Sequence, residues 1–189
     1  MIPTVMATPT QEVRPTVQVA APPTVVPTPR VSDVIEKVRS GVVRIETTGP
    51  DGGSVGTGLI VEVDQINGTR IVLTNQHVVA GAQTMTVIAR DSDAFQAILR
   101  GEDVERDLAI IEYCCEFSTR ALSFGDSENV SVGDEVIAVG YALGLAGEAT
   151  VTQGIVSAAR QDGELRTLIQ TDAPINSGNS GGPLFDRTG

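Results

Sequence analysis

The stretch QTDAPINSGNSGGPL, residues 170–184, sets Ser180 among three glycines, two asparagines and two prolines. Gly178, Gly181 and Gly182 admit backbone angles that a residue with a Cβ avoids. Ser180 is therefore expected on a tight, exposed turn, with its own amide and that of Gly178 pointing the same way. Two convergent N–H donors beside a hydroxyl would cradle a negative charge developing on oxygen. An ordinary glycine-rich loop can carry the same Gly-x-Ser-x-Gly spelling, so the reading depends on partners elsewhere in the chain.

Chain order limits those partners. The α/β-hydrolase turn of the same spelling takes its acid and its histidine from sequence after the serine. Only nine residues follow Ser180, and none is histidine. The single histidine, His77, lies upstream in LTNQHVVAGA, and Asp107 of DLAIIEY falls between the two. The order His, Asp, Ser is the chymotrypsin order and not the subtilisin one.

Imidazole is well matched to removing a proton from a serine hydroxyl as it attacks, and His77 is the one imidazole available. Asp107 heads an apolar strand, where a carboxylate needs a hydrogen-bond donor such as an imidazole N–H. The rival acid is Asp103, in the charged turn GEDVER four residues earlier. The amides of Gly178 and Ser180, with that of Asn179 nearby, are the expected oxyanion donors, one such donor contributing roughly 3 kcal/mol in comparable sites.

Four motifs in order, TNQHVVAG, DLAIIE, VTQGIVSA and IQTDAPINSGNSGGPL, resemble the trypsin-like serine proteases, most closely their bacterial Deg/HtrA branch. The resemblance runs from about Val31 to the last residue and favours Asp107 as the acid. It implies two antiparallel barrels with a site in the crevice between them. The activity implied is that of a serine endopeptidase on unfolded or misfolded polypeptides, with no metal or organic cofactor. By the same resemblance Ile175, Asn176 and Ser177 form part of a substrate pocket wall, although Asn176 and Ser177 also read as plain turn formers. The segment GYALGLAGEATVTQGIVSAAR resembles an activation loop leading into a strand, and reads equally as a surface loop. A homotrimer, a downstream peptide-binding domain and an extracytoplasmic location are further expectations from the family. A catalytically inactive peptide-binding module of the same fold is the alternative.

Composition narrows the rest. A 189-residue chain that is 41% hydrophobic has material for a core, and a formal charge of -11 disfavours nucleic acid and anionic membrane surfaces as partners. One histidine and two adjacent cysteines lack the ligand spacing of a zinc site. Cys114 and Cys115 are expected to remain unbridged, as small core residues near a strand end. Seven of the ten prolines fall in residues 1–30, which read as an extended linker that should tether something, such as an export signal or membrane anchor.

From Val31 a short helix is expected, capped by Ser32 and packed on the first lobe through Val34, Ile35 and Val38. Short β-rich runs follow at 42–46, 55–63, 70–74, 85–89, 95–100 and 108–112, then at 135–140, 149–159, 165–171 and 182–185. The fold expected is all-β: a linker over 1–30, a first barrel over 31–115 with His77 and Asp107, and a second over 116–189 with Ser180. The second barrel shows four strands where the family has six, so it is expected to be incomplete.

Overall fold

Six strands follow Gly41: β1 (Val42–Gly49), β2 (Gly52–Val63), β3 (Arg70–Thr74), β4 (Thr84–Ala89), β5 (Ala94–Asp103) and β6 (Leu108–Tyr113). The computed structural model describes residues 29–50, 52–89, 94–115, 118–145, 147–161 and 167–189. The strands pair antiparallel in the order β1-β2-β3-β6-β5-β4, and β4 pairs back onto β1, so the sheet closes into a barrel. Closure removes the unpaired edges that an open sheet presents. Alternate residues point inward, and Val43, Ile45, Ile60, Val72, Val87 and Ile111 fill the interior, all wholly buried.

The Gly56-Thr57-Gly58 run in β2 shows how full that interior is. A Cβ at Gly56 would meet the Val78 side chain, and one at Gly58 would collide with Val72, with Ile45 Cδ1 2.9 Å away. Thr57 alternates to the opposite face, yet is itself wholly buried. Something beyond the barrel must therefore cover it.

The covering comes from the second half. Strands β7 (Glu135–Gly140), β8 (Thr150–Gln161), β9 (Thr167–Thr171) and β10 (Leu184–Phe185) form a four-stranded antiparallel sheet, in the order β10-β7-β8-β9, that does not close. The all-β, two-lobed reading with an incomplete second barrel agrees with this architecture. The linker expected over residues 1–30 lies outside the described residues, except for positions 29 and 30.

Three local expectations are overturned. Helix α1 (Val31–Val38) is capped two residues earlier than the expected Ser32: Arg30 is the N-cap, and its amide donates to the Asp33 carboxylate at 3.3 Å. The helix also packs chiefly on the second sheet, meeting the first barrel at Val42. Val34 and Val38, one helical turn apart, join Val42, Ile137, Val139, Tyr141 and Phe185 in a second core cluster. A closed barrel filled by its own side chains offers little to a helix, whereas the open sheet has an apolar face to cover. Finally, Cys114 and Cys115 are joined by a disulfide between sequence neighbours, and both are exposed. Cys115 takes a left-handed φ of 77°, and its amide donates to Gly68 O at 3.0 Å. That reversal of the chain lets two adjacent side chains meet and holds them at the surface.

Val38→Ala should lower stability by about 2 kcal/mol through two lost methyl groups and an incompletely collapsed cavity, read as a lower urea midpoint. Ser32→Ala should shift it by under about 0.5 kcal/mol, because Ser32 caps nothing; a loss near 1 kcal/mol, the usual worth of a cap, would contradict the observed helix start.

Candidate active site

His77 stands on α2 (Gln76–Val79), a single turn after β3 that the sequence reading had not anticipated. Val78 and Val79 are buried in the barrel core, and this anchors the turn while the His77 side chain remains 56% exposed. Asp107 sits in the turn before β6 with a left-handed φ of 53°, a conformation that aspartate tolerates better than most residues. Its carboxylate grips the α2 turn twice: the His77 amide donates to Oδ1 at 2.9 Å, and the ring Nδ1 lies 2.7 Å from Oδ2.

Partial burial works against ionisation of Asp107, but the hydrogen bonds from the His77 amide and ring together outweigh it and hold the carboxyl below its ordinary value. An ionised carboxylate only accepts, so Nδ1 is the ring nitrogen that donates to it, and in the neutral imidazole the lone pair is then on Nε2. Asp103 makes no hydrogen bond to His77 among the described residues. It is held by Arg106, whose amide and guanidinium donate to it at 3.0 and 2.8 Å.

The serine turn is shaped by Gly178 and Gly181, with φ of 94° and 80°. A Cβ on Gly178 would strike Tyr141 O, and one on Gly181 would strike the Thr74 hydroxyl and Thr57 O. Glycine at these positions lets the turn take left-handed angles while lying directly on its neighbours. Within the turn, the Asn179 amide donates to Asn176 O at 3.0 Å and the Gly182 amide to Asn179 O at 2.8 Å. The Asn179 amide, expected near the oxyanion cradle, is thus engaged inside the turn. Among the described residues the Gly178 and Ser180 amides donate to no protein acceptor.

The turn is fastened to the first barrel by residues that the sequence reading did not single out. The Thr57 amide donates to Ser180 O at 2.8 Å, and the Thr57 hydroxyl donates to Gly178 O at 2.7 Å. Asn75, two residues before His77, accepts from the Gly181 amide at 2.6 Å and donates to Asp107 O at 2.8 Å. One side chain thereby ties the acid's backbone to the residue after the serine. Leu143 donates its amide to Ser177 O at 2.6 Å from a left-handed φ of 59°. The available signals were the outward position of Thr57 in its strand and the closeness of Asn75 to His77.

The structure thus joins His77 to Asp107 and sets the Ser180 turn against β2 and Asn75. Among the described residues no hydrogen bond links His77 directly to Ser180; such contacts are often long without substrate and tighten when it binds. Ile175, Asn176 and Ser177 lie exposed along the approach to the turn. No group of three or more His, Cys, Asp or Glu among the described residues could hold a metal ion.

The family described as trypsin-like peptidase domain matches residues 56–189. The chain is 38% identical over 141 residues to "Serine protease Do-like HtrA" of Lactobacillus helveticus, covering 72% of this chain and 34% of that protein. It is 37% identical over 165 residues to "Probable periplasmic serine endoprotease DegP-like" of Rickettsia conorii, covering 83% and 31%. It therefore spans about a third of the length of these curated relatives. Among solved structures, "HtrA-type protease AlgW with tripeptide" superposes with a TM-score of 0.74 at 35% identity, covering 84% of this chain and 51% of that one.

Asn75→Ala leaves the Gly181 amide and Asp107 O without their partner and should lower stability by about 1–2 kcal/mol in urea unfolding. The depressed Asp107 carboxyl adds stability that is fully present above the ordinary carboxylate value near ~4 and is lost as pH falls through its lower folded value. The difference in melting temperature between wild type and Asp107→Asn should therefore shrink on acidification below about pH 4; a difference that grows there would reverse the sign of the linkage.

Proposed function

The chain belongs to the trypsin-like peptidase domain family, and from that premise we propose that it serves as a serine endopeptidase of the Deg/HtrA kind, cleaving polypeptides through an acyl-enzyme. The observation that carries this reading is the His77–Asp107 pair of one lobe, set beside the turn that presents Ser180 and two uncommitted amides on the other. In the proposed cycle Ser180 Oγ attacks the scissile carbonyl carbon while His77 Nε2 takes its proton. The carbonyl oxygen, now negative, accepts from the Gly178 and Ser180 amides. His77 then returns the proton to the departing amine, and water repeats the sequence to free Ser180. Asp107 keeps the imidazole in the productive tautomer and stabilises its protonated form.

Ile175, Asn176 and Ser177 are proposed to line the path of the substrate residues before the cleaved bond. Unfolded or misfolded segments fit a site open at the surface, and the relatives' printed names support a protease. A trimer and a further peptide-binding domain are proposed from the family alone, as are the lobe limits 31–115 and 116–189. An extracytoplasmic location is supported by the word "periplasmic" in the name of a relative and by the Cys114–Cys115 bridge, a bond that persists in oxidising compartments. No described helix is long and apolar enough to cross a membrane.

The test uses the protein in its full-length form. A fluorophosphonate should label the wild type and not Ser180→Ala, its fluoride leaving as the Ser180 oxygen bonds to phosphorus. Ser180→Ala and His77→Ala should each lower peptide hydrolysis by about 10⁴–10⁶-fold and Asp107→Asn by about 10⁴-fold, with combined effects far from additive. Asp103→Ala should remain within a few-fold of wild type. Peptide binding with neither labelling nor turnover would favour the non-catalytic module, and a collapse in Asp103→Ala would show that the acid is misassigned.

A further inference from the structure

Gly178, like Gly181, lacks a Cβ and sits at a left-handed φ, here 94°, yet its amide is one of the two donors on which the proposed oxyanion site depends. Some restraint from outside the turn must fix the two peptide units that flank it. The carbonyl on its N-terminal side, Ser177 O, accepts from the Leu143 amide at 2.6 Å, which turns the Gly178 N–H to the opposite side of the same planar unit. The carbonyl on its C-terminal side, Gly178 O, accepts from the Thr57 hydroxyl at 2.7 Å.

These two restraints share one source. The Thr57 hydroxyl also accepts from the Tyr141 amide at 2.9 Å, and Tyr141 begins the turn that carries Leu143. The Thr57 amide donates to Ser180 O, so the residues bearing both uncommitted amides have their carbonyls held by one residue of the first barrel. Thr57 is wholly buried, and its carbonyl accepts from the Thr74 hydroxyl at 2.7 Å. Its four polar contacts are all made to protein.

Resting on the reading of Ser180 as nucleophile, we propose that the Thr57 hydroxyl is the positioning group of the oxyanion site: it touches no substrate atom, but fixes the Gly178 peptide directly and the Tyr141–Leu143 turn at the same time. The barrel itself does not need this hydroxyl. Thr57 lies opposite Arg44 in the antiparallel β1–β2 ladder, which its hydroxyl does not join, and its side chain faces away from the barrel core. The hydroxyl acts between the lobes, and its removal should be felt where the oxyanion forms more than where the peptide binds.

The experiment compares Thr57→Val, which keeps the shape without the hydroxyl, with Thr57→Ser, which keeps the hydroxyl, in the full-length protein. Thr57→Val should lower kcat by about 10- to 100-fold with KM within about 3-fold, a loss smaller than that from removing an oxyanion donor outright. A peptide aldehyde, whose adduct places an oxyanion in the site, should lose affinity in step with kcat, while the corresponding unreactive peptide amide should bind as before. Thr57→Ser should remain within about 3-fold of wild type by every measure. Should Thr57→Val not fold, Thr57→Ala takes its place against Thr57→Ser. Wild-type kcat in the hydroxyl-less variant, equal impairment of the serine variant, or equal loss of aldehyde and amide binding would each overturn the proposal. Wild-type protein that fluorophosphonate does not label would instead sink the protease reading itself.

Discussion

Two pieces of β-structure from different halves of the chain touch backbone to backbone, and everything at the candidate site depends on that contact. Gly181 lies where any side chain would collide with the Thr74 hydroxyl and the Thr57 carbonyl. Because it has none, the serine turn sits against β2 and β3 closely enough to exchange hydrogen bonds with Thr57 and Asn75. His77 follows β3, and Asp107 precedes β6, the strand that pairs with β3. Acid, base and serine turn thereby share one frame, without any long side chain having to reach across.

The two lobes bring unequal support to this contact. The first closes on itself, fills its interior with branched aliphatics, and holds the α2 turn through Val78 and Val79. The second is an open sheet whose apolar face is covered in part by α1, an element from the start of the described chain. Val42 belongs to β1 and also packs in the second cluster, so the lobes are interlocked before the first barrel has been completed in sequence. Burial at this junction gives both halves a common hydrophobic debt to water, and neither exposes its share without the other.

Much of this was legible in the residues. Short β-rich runs separated by turn residues located the strands to within a few positions. Chain order narrowed the partners of Ser180, and the resemblance of DLAIIE to the family favoured Asp107 over Asp103, which lies in the charged turn GEDVER. What escaped was whatever depends on contacts between distant segments. An apolar helical stripe announces that a helix is covered and not by what, hence the wrong partner for α1. Cys114 and Cys115 bridge with Cys115 in a left-handed conformation, which their spelling does not reveal. Arg70, the largest wholly buried side chain, reads as a surface charge until Thr119 Oγ1 and the carbonyls of Asp64 and Thr69 are seen to surround its guanidinium. Thr57 reads as an ordinary strand threonine, because its importance lies in Gly178 and Tyr141, more than 80 residues away.

The Gly56-Thr57-Gly58 run has a mechanical meaning. At that level the barrel wall is bare backbone, with Val78, Ile45 and Val72 from behind pressed against it and no side-chain cushion between. Close-packed interiors are poorly compressible and transmit displacement where a looser layer would absorb it. The serine turn is therefore mounted on a closely packed part of the wall, and a load applied to it passes into the valine and isoleucine core. A turn made of glycines, soft in isolation, borrows its rigidity from a barrel wall against whose inner side Val78, Val72 and Ile45 are packed.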